Sequence, residues 1–221
     1  MSLGRYLSGL GARFDSQALR PPAPGPSAVD DARARQQPAW AGLQAWCQQG
    51  AGPGRSSGLR PGAQPAVALR LAVAAVQGPD PAADLAWADA FARQLDGSVA
   101  LAALSGGAQG RAALALRLRV KAQDAMWWRS RRPDDPWDVG WAISTSTSPS
   151  PSPSPWSSDF LPRRATLVLA DRREADSLQP HLTALTERSE GFWHPVRWLW
   201  VGSGAGTAAA PGLTWARFSL V

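Results

Sequence analysis

The chain has 221 residues, 44% of them hydrophobic, and this length allows one sizeable core. No run of roughly 18 apolar residues is present, which excludes a membrane-spanning helix, and the single cysteine, Cys47, excludes a disulfide framework or a cysteine metal cluster. The formal net charge of +6 comes almost entirely from arginine, with Lys121 as the only lysine, which indicates a compositional bias of the genome rather than selection for phosphate binding.

Residues 1–65 are predicted to form a disordered, Pro/Gly-rich tail, because segments such as "QALRPPAPGPSAVDD" bury too little apolar surface to offset chain entropy. The first residues lack the apolar core of a signal peptide, so the expected compartment is the cytoplasm. Leu3, Leu7 and Leu10 recur at helical spacing, and "PAWAGLQAWCQQ" predicts a second short helix. One interpretation is that both helices cap the globular domain. The other is that the first helix docks on a protein partner or a membrane surface.

The chain changes character at Ala66. "AVALRLAVAAV" predicts a buried strand, "PAADLAWADAFARQL" a helix, and "SVALAAL" a second strand, an order typical of a parallel strand pair with a crossover helix. "LALRLRVK" alternates apolar and polar residues, which favours a half-buried strand. A helix over residues 112–121 remains the alternative.

Four further strands and two helices are predicted after this point, and the first of these helices is "AQDAMWWRSR". "DPWDVGWAIS" is a short strand, residues 144–157 form a low-complexity loop, and "RATLVLADRR", "PVRWLWVG" and "LTWARFSLV" are strands. "EADSLQPHLTALTERS" is a helix that begins or kinks at Pro180. We therefore predict one α/β domain over residues 66–221, with a mostly parallel or mixed central sheet covered by helices.

Two glycine-containing loops follow predicted strands, where a phosphate-binding loop would lie. In "GPDPAADL", Asp84 and Leu85 stand where such loops need a lysine and a hydroxyl, and two prolines remove N–H donors. In "SGGAQGRAA", Arg111 could contact phosphate beside the glycines, which are Gly106, Gly107 and Gly110. Because the only lysine lies outside both loops, nucleotide hydrolysis is not expected, nor any bound cofactor or metal.

Asp171 ends the strand "TLVLAD", where a magnesium-orienting aspartate can lie. An aspartate at the end of a strand that is followed by arginine and glutamate, here Arg172 and Glu174, is also typical of a residue that caps a helix. Both interpretations stay open.

The order of these segments resembles that of MinD/ParA-type P-loop proteins over residues 66–202, with gaps. "WDVGWAISTS" and "RATLVLADRREADSLQPHLTAL" are similar to the cellulose-secretion members of that family. A second resemblance is to STAND-type NTPases, in which "ALSGGAQGRAALAL" would be the phosphate loop and the strand ending at Asp171 the acidic strand. The chain departs from the MinD/ParA pattern at Asp84, at Leu85 and after "VALAAL", where no aspartate follows. The resemblance thus implies the fold and a partner surface, without ATPase activity.

The segment from Arg111 to Arg132 carries seven basic residues against one acidic residue, a net charge of +6 that equals the surplus of the whole chain. Its aromatic and basic residues could form a protein interface, a single-strand nucleic-acid surface or a solvated face. The residues concerned are Trp127, Trp128, Arg129, Arg131 and Arg132. With 12 tryptophans in the chain, some rings should be exposed, which favours a protein partner over nucleic acid.

The function expected from these features is that of a non-catalytic adaptor or regulatory subunit, which acts through protein contacts in a bacterial-style assembly. The alternative is a protein that still binds ATP or GTP, with Arg111 as its phosphate contact. Single-stranded nucleic-acid binding through residues 111–132 is the third interpretation.

Overall fold

The computed structural model describes residues 19–23, 34–49, 70–100, 135–143, 160–162, 164–192, 194–203 and 215–220. Its longer helices are α1 (Pro38–Gln48), α2 (Pro81–Leu95) and α3 (Ala175–Arg188). The strands are β1 (Leu19–Arg20), β2 (Leu71–Gln77), β3 (Asp138–Ala142), β4 (Thr166–Asp171), β5 (Val196–Val201) and β6 (Trp215–Ser219).

All six strands form one mixed sheet in the order β1-β3-β4-β5-β2-β6. Strands β3, β4, β5, β2 and β6 are all parallel to one another, and β1 is antiparallel to β3. The predicted α/β class with a mostly parallel sheet is confirmed. Strands β2 and β5 are buried on both faces, which explains why their sequences "LAVAAVQ" and "VRWLWV" are almost continuously apolar.

Helices cover both faces of the sheet. On the first face, Trp40 of α1 meets Trp87 and Phe91 of α2, with ring centroids 5.6 and 5.0 Å apart. On the second face, Leu178, Leu182 and Leu185 of α3 are fully buried in a core cluster with residues of β2, β4 and β5. Their spacing of four and three residues places them on one side of the helix.

Two segments that the sequence assigned to the tail are part of this fold. Strand β1 extends the sheet beyond β3, and Ala23 is held on α2, since its N–H donates to Asp89 Oδ1 (3.1 Å) and its carbonyl accepts from Arg93 Nη1 (2.6 Å). Helix α1 is buried on the first face together with Cys47. Of the two interpretations of the tail helices, the second helix therefore caps the domain, while Leu3, Leu7 and Leu10 lie outside the described residues.

Helix α1 ends over a buried arginine of the sheet. Arg197 of β5 has no exposed surface, and its guanidinium donates to the carbonyl oxygens of Trp46 (3.4 Å) and Gln49. It also lies 5.7 Å from the ring centre of Trp46. Because the last carbonyls of a helix lack partners within the helix and carry partial negative charge, Arg197 caps α1 from a distant part of the chain.

Two local predictions are corrected. Residues 98–100 are helical, not the start of a strand: Gly97 adopts a φ of +80°, and Asp96 Oδ1 accepts from the Ser98 N–H (2.7 Å) as a helix cap does. Alanine-rich apolar segments fit a helix as well as a buried strand. The predicted start of the helix at Pro180 is wrong, because α3 begins at Ala175. A proline so close to the start removes a single backbone hydrogen bond, to the exposed first turn. A kink at Pro180 stays a prediction.

Candidate functional site

The carboxyl ends of β4, β5, β2 and β6 meet at one edge of the sheet, since these strands are parallel. From β2 the chain passes to β3, three positions away in the sheet, and β4 and β5 then return step by step toward β2. In open α/β sheets, ligands bind outside the carboxyl ends of the strands where the connections change direction. We call residues 77–84, 171–173, 201–203 and 219–220 the carboxyl edge; they contain the candidate site.

The loop from β2 to α2 lies at this edge and is closed by its own carboxylates. Asp84 Oδ2 accepts from the Gly78 N–H (2.9 Å), and Asp80 Oδ1 accepts from the Ala82 N–H (3.0 Å). Pro79 and Pro81 have no N–H to offer. A phosphate-binding loop needs several free N–H groups at the start of the helix, and here carboxylates of the chain occupy the position of the anion.

Asp84 is 1% exposed and thus belongs to the interior of the loop. Burial raises the pKa of its carboxyl group, the Gly78 N–H lowers it in part, and the nearby Asp80 raises it further. A second anion placed beside Asp84 would meet two carboxylates at close range, which disfavours a phosphate there. Sequence spacing places Asp84 where a phosphate-binding loop would need a lysine. It does not indicate that the Asp84 side chain turns back to Gly78.

Gly78 is expected to tolerate no side chain while Asp84 is present. A Cβ at Gly78 would lie 2.4 Å from Asp84 Oδ1 and 3.1 Å from Leu220 Cβ, so Gly78→Ala should lower the free energy of unfolding by about 1–3 kcal/mol. In an Asp84→Ala background the first contact is gone, and Gly78→Ala should cost at least about 1 kcal/mol less there. Urea unfolding of the two single variants and the double variant measures this coupling. Additive effects would contradict the close contact between the two residues.

Asp171 caps the turn that follows β4. Its Oδ1 accepts from the Arg173 N–H (2.9 Å), and its Oδ2 accepts from Arg173 Nη2 (2.5 Å). Burial raises the pKa of Asp171, but the hydrogen bonds from the Arg173 side chain and backbone outweigh it, so that the pKa lies below its usual value. Of the two interpretations of Asp171, the contacts are those of a helix cap.

Arg172 reaches across the end of β5. Its Nη1 lies 3.2 Å from Gln77 Oε1 at the end of β2. Burial lowers the pKa of Arg172, and the positive charge of Arg217 on β6 lowers it further. The guanidinium of Arg172 at the carboxyl edge therefore lies within electrostatic range of Arg217 on β6. Sequence analysis missed this because Arg172 and Arg217 are 45 positions apart.

Comparisons of the chain with protein-family models, with curated proteins and with solved structures found no match. The arrangement at the carboxyl edge is therefore interpreted from its own geometry. Apart from Asp171, every residue proposed for a nucleotide or a partner lies outside the described residues. These residues are Gly106, Gly107, Gly110, Arg111, Leu3, Leu7, Leu10, Trp127, Trp128, Arg129, Arg131 and Arg132.

The described residues offer little to a metal or a nucleophilic mechanism. Among them, no three His, Cys, Asp or Glu side chains lie together as a metal site would require. Burial raises the pKa of the Cys47 thiol to about 12, although the charge of Arg197 opposes it, so Cys47 is protonated at neutral pH and a poor nucleophile. None of the described helices is long and apolar enough to cross a membrane.

Proposed function

We propose that the protein is a non-catalytic adaptor or regulatory subunit, built on a nucleotide-binding-type α/β fold and acting through protein–protein contacts in a bacterial-style assembly. The hydrogen bond from the Gly78 N–H to Asp84 carries this proposal. It gives the first donor of the loop an acceptor within the chain, at the position where a nucleotide-binding protein would receive a phosphate.

The charges around the loop support the same conclusion. A phosphate-binding loop combines backbone donors with a lysine, and a hydroxyl holds magnesium nearby. Here Asp80 and Asp84 lie at the start of α2, where they complement the partial positive charge of the helix end. The helix dipole is thereby already neutralised from within the chain, and an incoming triphosphate would gain little from it.

Asp171 supports the proposal from the neighbouring strand. Catalysis of phosphoryl transfer needs a carboxylate that is free to orient magnesium or its water shell. Both carboxylate oxygens of Asp171 instead accept hydrogen bonds from Arg173. The partner surface proposed for Trp127, Trp128 and the nearby arginines remains a prediction.

We expect the protein to show no saturable binding of fluorescent ATP or GTP analogues below about 1 mM. Asp84→Asn, which keeps an amide oxygen for the Gly78 N–H, should give the same result. Asp84→Ala should also fail to bind, because it frees one donor without supplying a lysine. Equilibrium anisotropy titrations with and without magnesium measure this.

The alternative function makes the opposite prediction for the same titration. Micromolar affinity for either nucleotide that is lost in Arg111→Ala would refute the proposal and identify a nucleotide-binding protein with Arg111 as its phosphate contact. Affinity that persists in Arg111→Ala would refute the proposal as well, and would place the nucleotide elsewhere.

A further inference from the structure

The two edge strands of the sheet, β1 and β6, differ in the contacts that they make with the rest of the chain. At one edge, β1 pairs with β3 through Leu19 and Arg20 and is held by the contacts of Ala23 with α2. At the other edge, β6 pairs with β2 on one side, and no further strand of the described residues lies beyond it. Edge strands offer unpaired N–H and C=O groups, to which an additional strand can bind.

The register identifies the backbone groups that face outward from β6. The Leu220 N–H donates to the Gln77 carbonyl of β2 (2.9 Å). Because the N–H and C=O of one residue point to the same side of a strand and alternate between neighbours, Ala216 and Phe218 also direct theirs toward β2. Trp215, Arg217 and Ser219 therefore direct their N–H and C=O groups away from the sheet.

The side chains of β6 divide in the same way. Phe218 packs on α1, where its ring centre lies 6.4 Å from that of Trp46 and its Cε1 would lie 3.0 Å from a Cβ at Gly42. This contact anchors the strand on the first face of the sheet. The side chains of Arg217 and Ser219 are exposed. The outer edge of β6 is thus a supported strand with two exposed alternate side chains and no further strand of the described residues beside it.

The charge beside this edge is positive. Arg217 lies close enough to Arg172 to lower its pKa. Two like charges within electrostatic range repel one another, and a carboxylate from a bound chain would relieve that repulsion. A second copy of this chain would instead bring another arginine toward Arg217 in a symmetric strand pair, which is unfavourable.

We infer that the outer edge of β6 binds an extended segment of a partner protein, which adds a strand to the sheet and places an Asp or Glu carboxylate against Arg217 and Arg172. This surface rests on the proposed function, since it gives the protein contacts of an adaptor a location. The mode is β-strand addition, in which the backbone provides the hydrogen bonds and alternate side chains provide the specificity.

Random heptapeptides displayed on phage, selected on the full chain, test this inference. The Ser219→Pro variant is added in solution as a competitor for the phage, so that peptides which bind it equally well are removed. This variant lacks one outward N–H but keeps the N–H groups that pair with β2, and proline is tolerated at such positions of an edge strand. The selected peptides should carry Asp or Glu at alternate positions, and synthetic versions should bind Ser219→Pro at least about tenfold more weakly. Ser219→Val, which keeps the N–H, should bind them like the unchanged protein.

Charge reversal provides the second readout. Arg217→Glu should weaken binding of the selected acidic peptides by at least about tenfold and favour the same peptides with lysine in place of the acidic residues. Three results would overturn the inference: no enrichment against Ser219→Pro, equal binding to Ser219→Pro, or a dimer of the chain that Ser219→Pro dissociates. Each is independent of the nucleotide titration, so this inference and the proposed function can fail separately.

Discussion

Replacing Arg197 by methionine is expected to lower the free energy of unfolding by about 2–4 kcal/mol, because buried main-chain carbonyls lose a charged donor. The partners of Arg197 on α1 are carbonyl oxygens of the main chain, at Trp46 and Gln49. A substitution cannot replace these partners by apolar groups. The Gln49 carbonyl would lose the Arg197 donor, and the Trp46 carbonyl would keep only the Gln49 N–H (3.2 Å). Methionine would restore only the volume of the side chain.

Arg197 remains charged under ordinary conditions despite its burial. Desolvation lowers its pKa to about 10, and Cys47 opposes the shift. At neutral pH the guanidinium is therefore protonated, and its charge faces the partial negative charge at the end of α1. Lysine would keep the charge but not the planar arrangement of donors that serves two carbonyls, so Arg197→Lys should recover less than half of the loss.

Urea unfolding measures this prediction, with Arg93→Met as the control. Arg93 also donates to a main-chain carbonyl, that of Ala23 (2.6 Å), but at an exposed position, and its loss should cost less than about 1 kcal/mol. If α1 detaches in Arg197→Met, the dependence of the unfolding free energy on urea should also decrease, because less surface remains to be exposed. A loss in Arg197→Met no larger than in Arg93→Met would contradict the capping role.

The elements predicted correctly are those whose burial is evident from their own residues. Strands β2, β4 and β5 have almost continuous apolar runs, and α2 has an N-cap aspartate, a proline at its first position and an apolar face. Helix α1 was predicted as a helix but assigned to the tail. Its place in the core depends on Arg197, which lies 151 positions beyond Trp46, and no local pattern records that contact.

The candidate site was predictable in part. Spacing alone placed Asp84 at the lysine position of the loop, and the prolines showed that donors were missing. The closure of the loop depends on the side chain of Asp84 reaching six residues back to the Gly78 N–H. The pairing of Arg172 with Gln77 and its proximity to Arg217 depend on strand order, which the sequence alone did not specify beyond a mostly parallel sheet.

The indole groups of Trp198 and Trp200 lead to the second large prediction. Both side chains are fully buried on the second face, with ring centres 5.4 Å apart. Trp200 pairs with Ala170 on one side and Ala75 on the other, and these small neighbours leave room for the large ring. Neither Nε1 donates to an acceptor among the described residues. Each tryptophan therefore combines a large apolar contribution with a buried donor that has no acceptor in the described part of the chain.

Trp200→Ala should lower the free energy of unfolding by about 3–5 kcal/mol, because it removes a fully buried ring and leaves a cavity. Trp200→Phe should lower the free energy of unfolding by much less, no more than about 1.5 kcal/mol. The smaller ring loses some packing, but the change also removes a buried donor whose desolvation costs about 1–3 kcal/mol, and this offsets part of the loss. Trp87→Phe is the matched control: the same change there breaks the bond from Trp87 Nε1 to the Ala34 carbonyl (3.1 Å). Thermal or urea unfolding of the three variants should rank Trp200→Phe as the mildest, and an equal or larger loss than in Trp87→Phe would show that the Trp200 indole N–H has a partner after all.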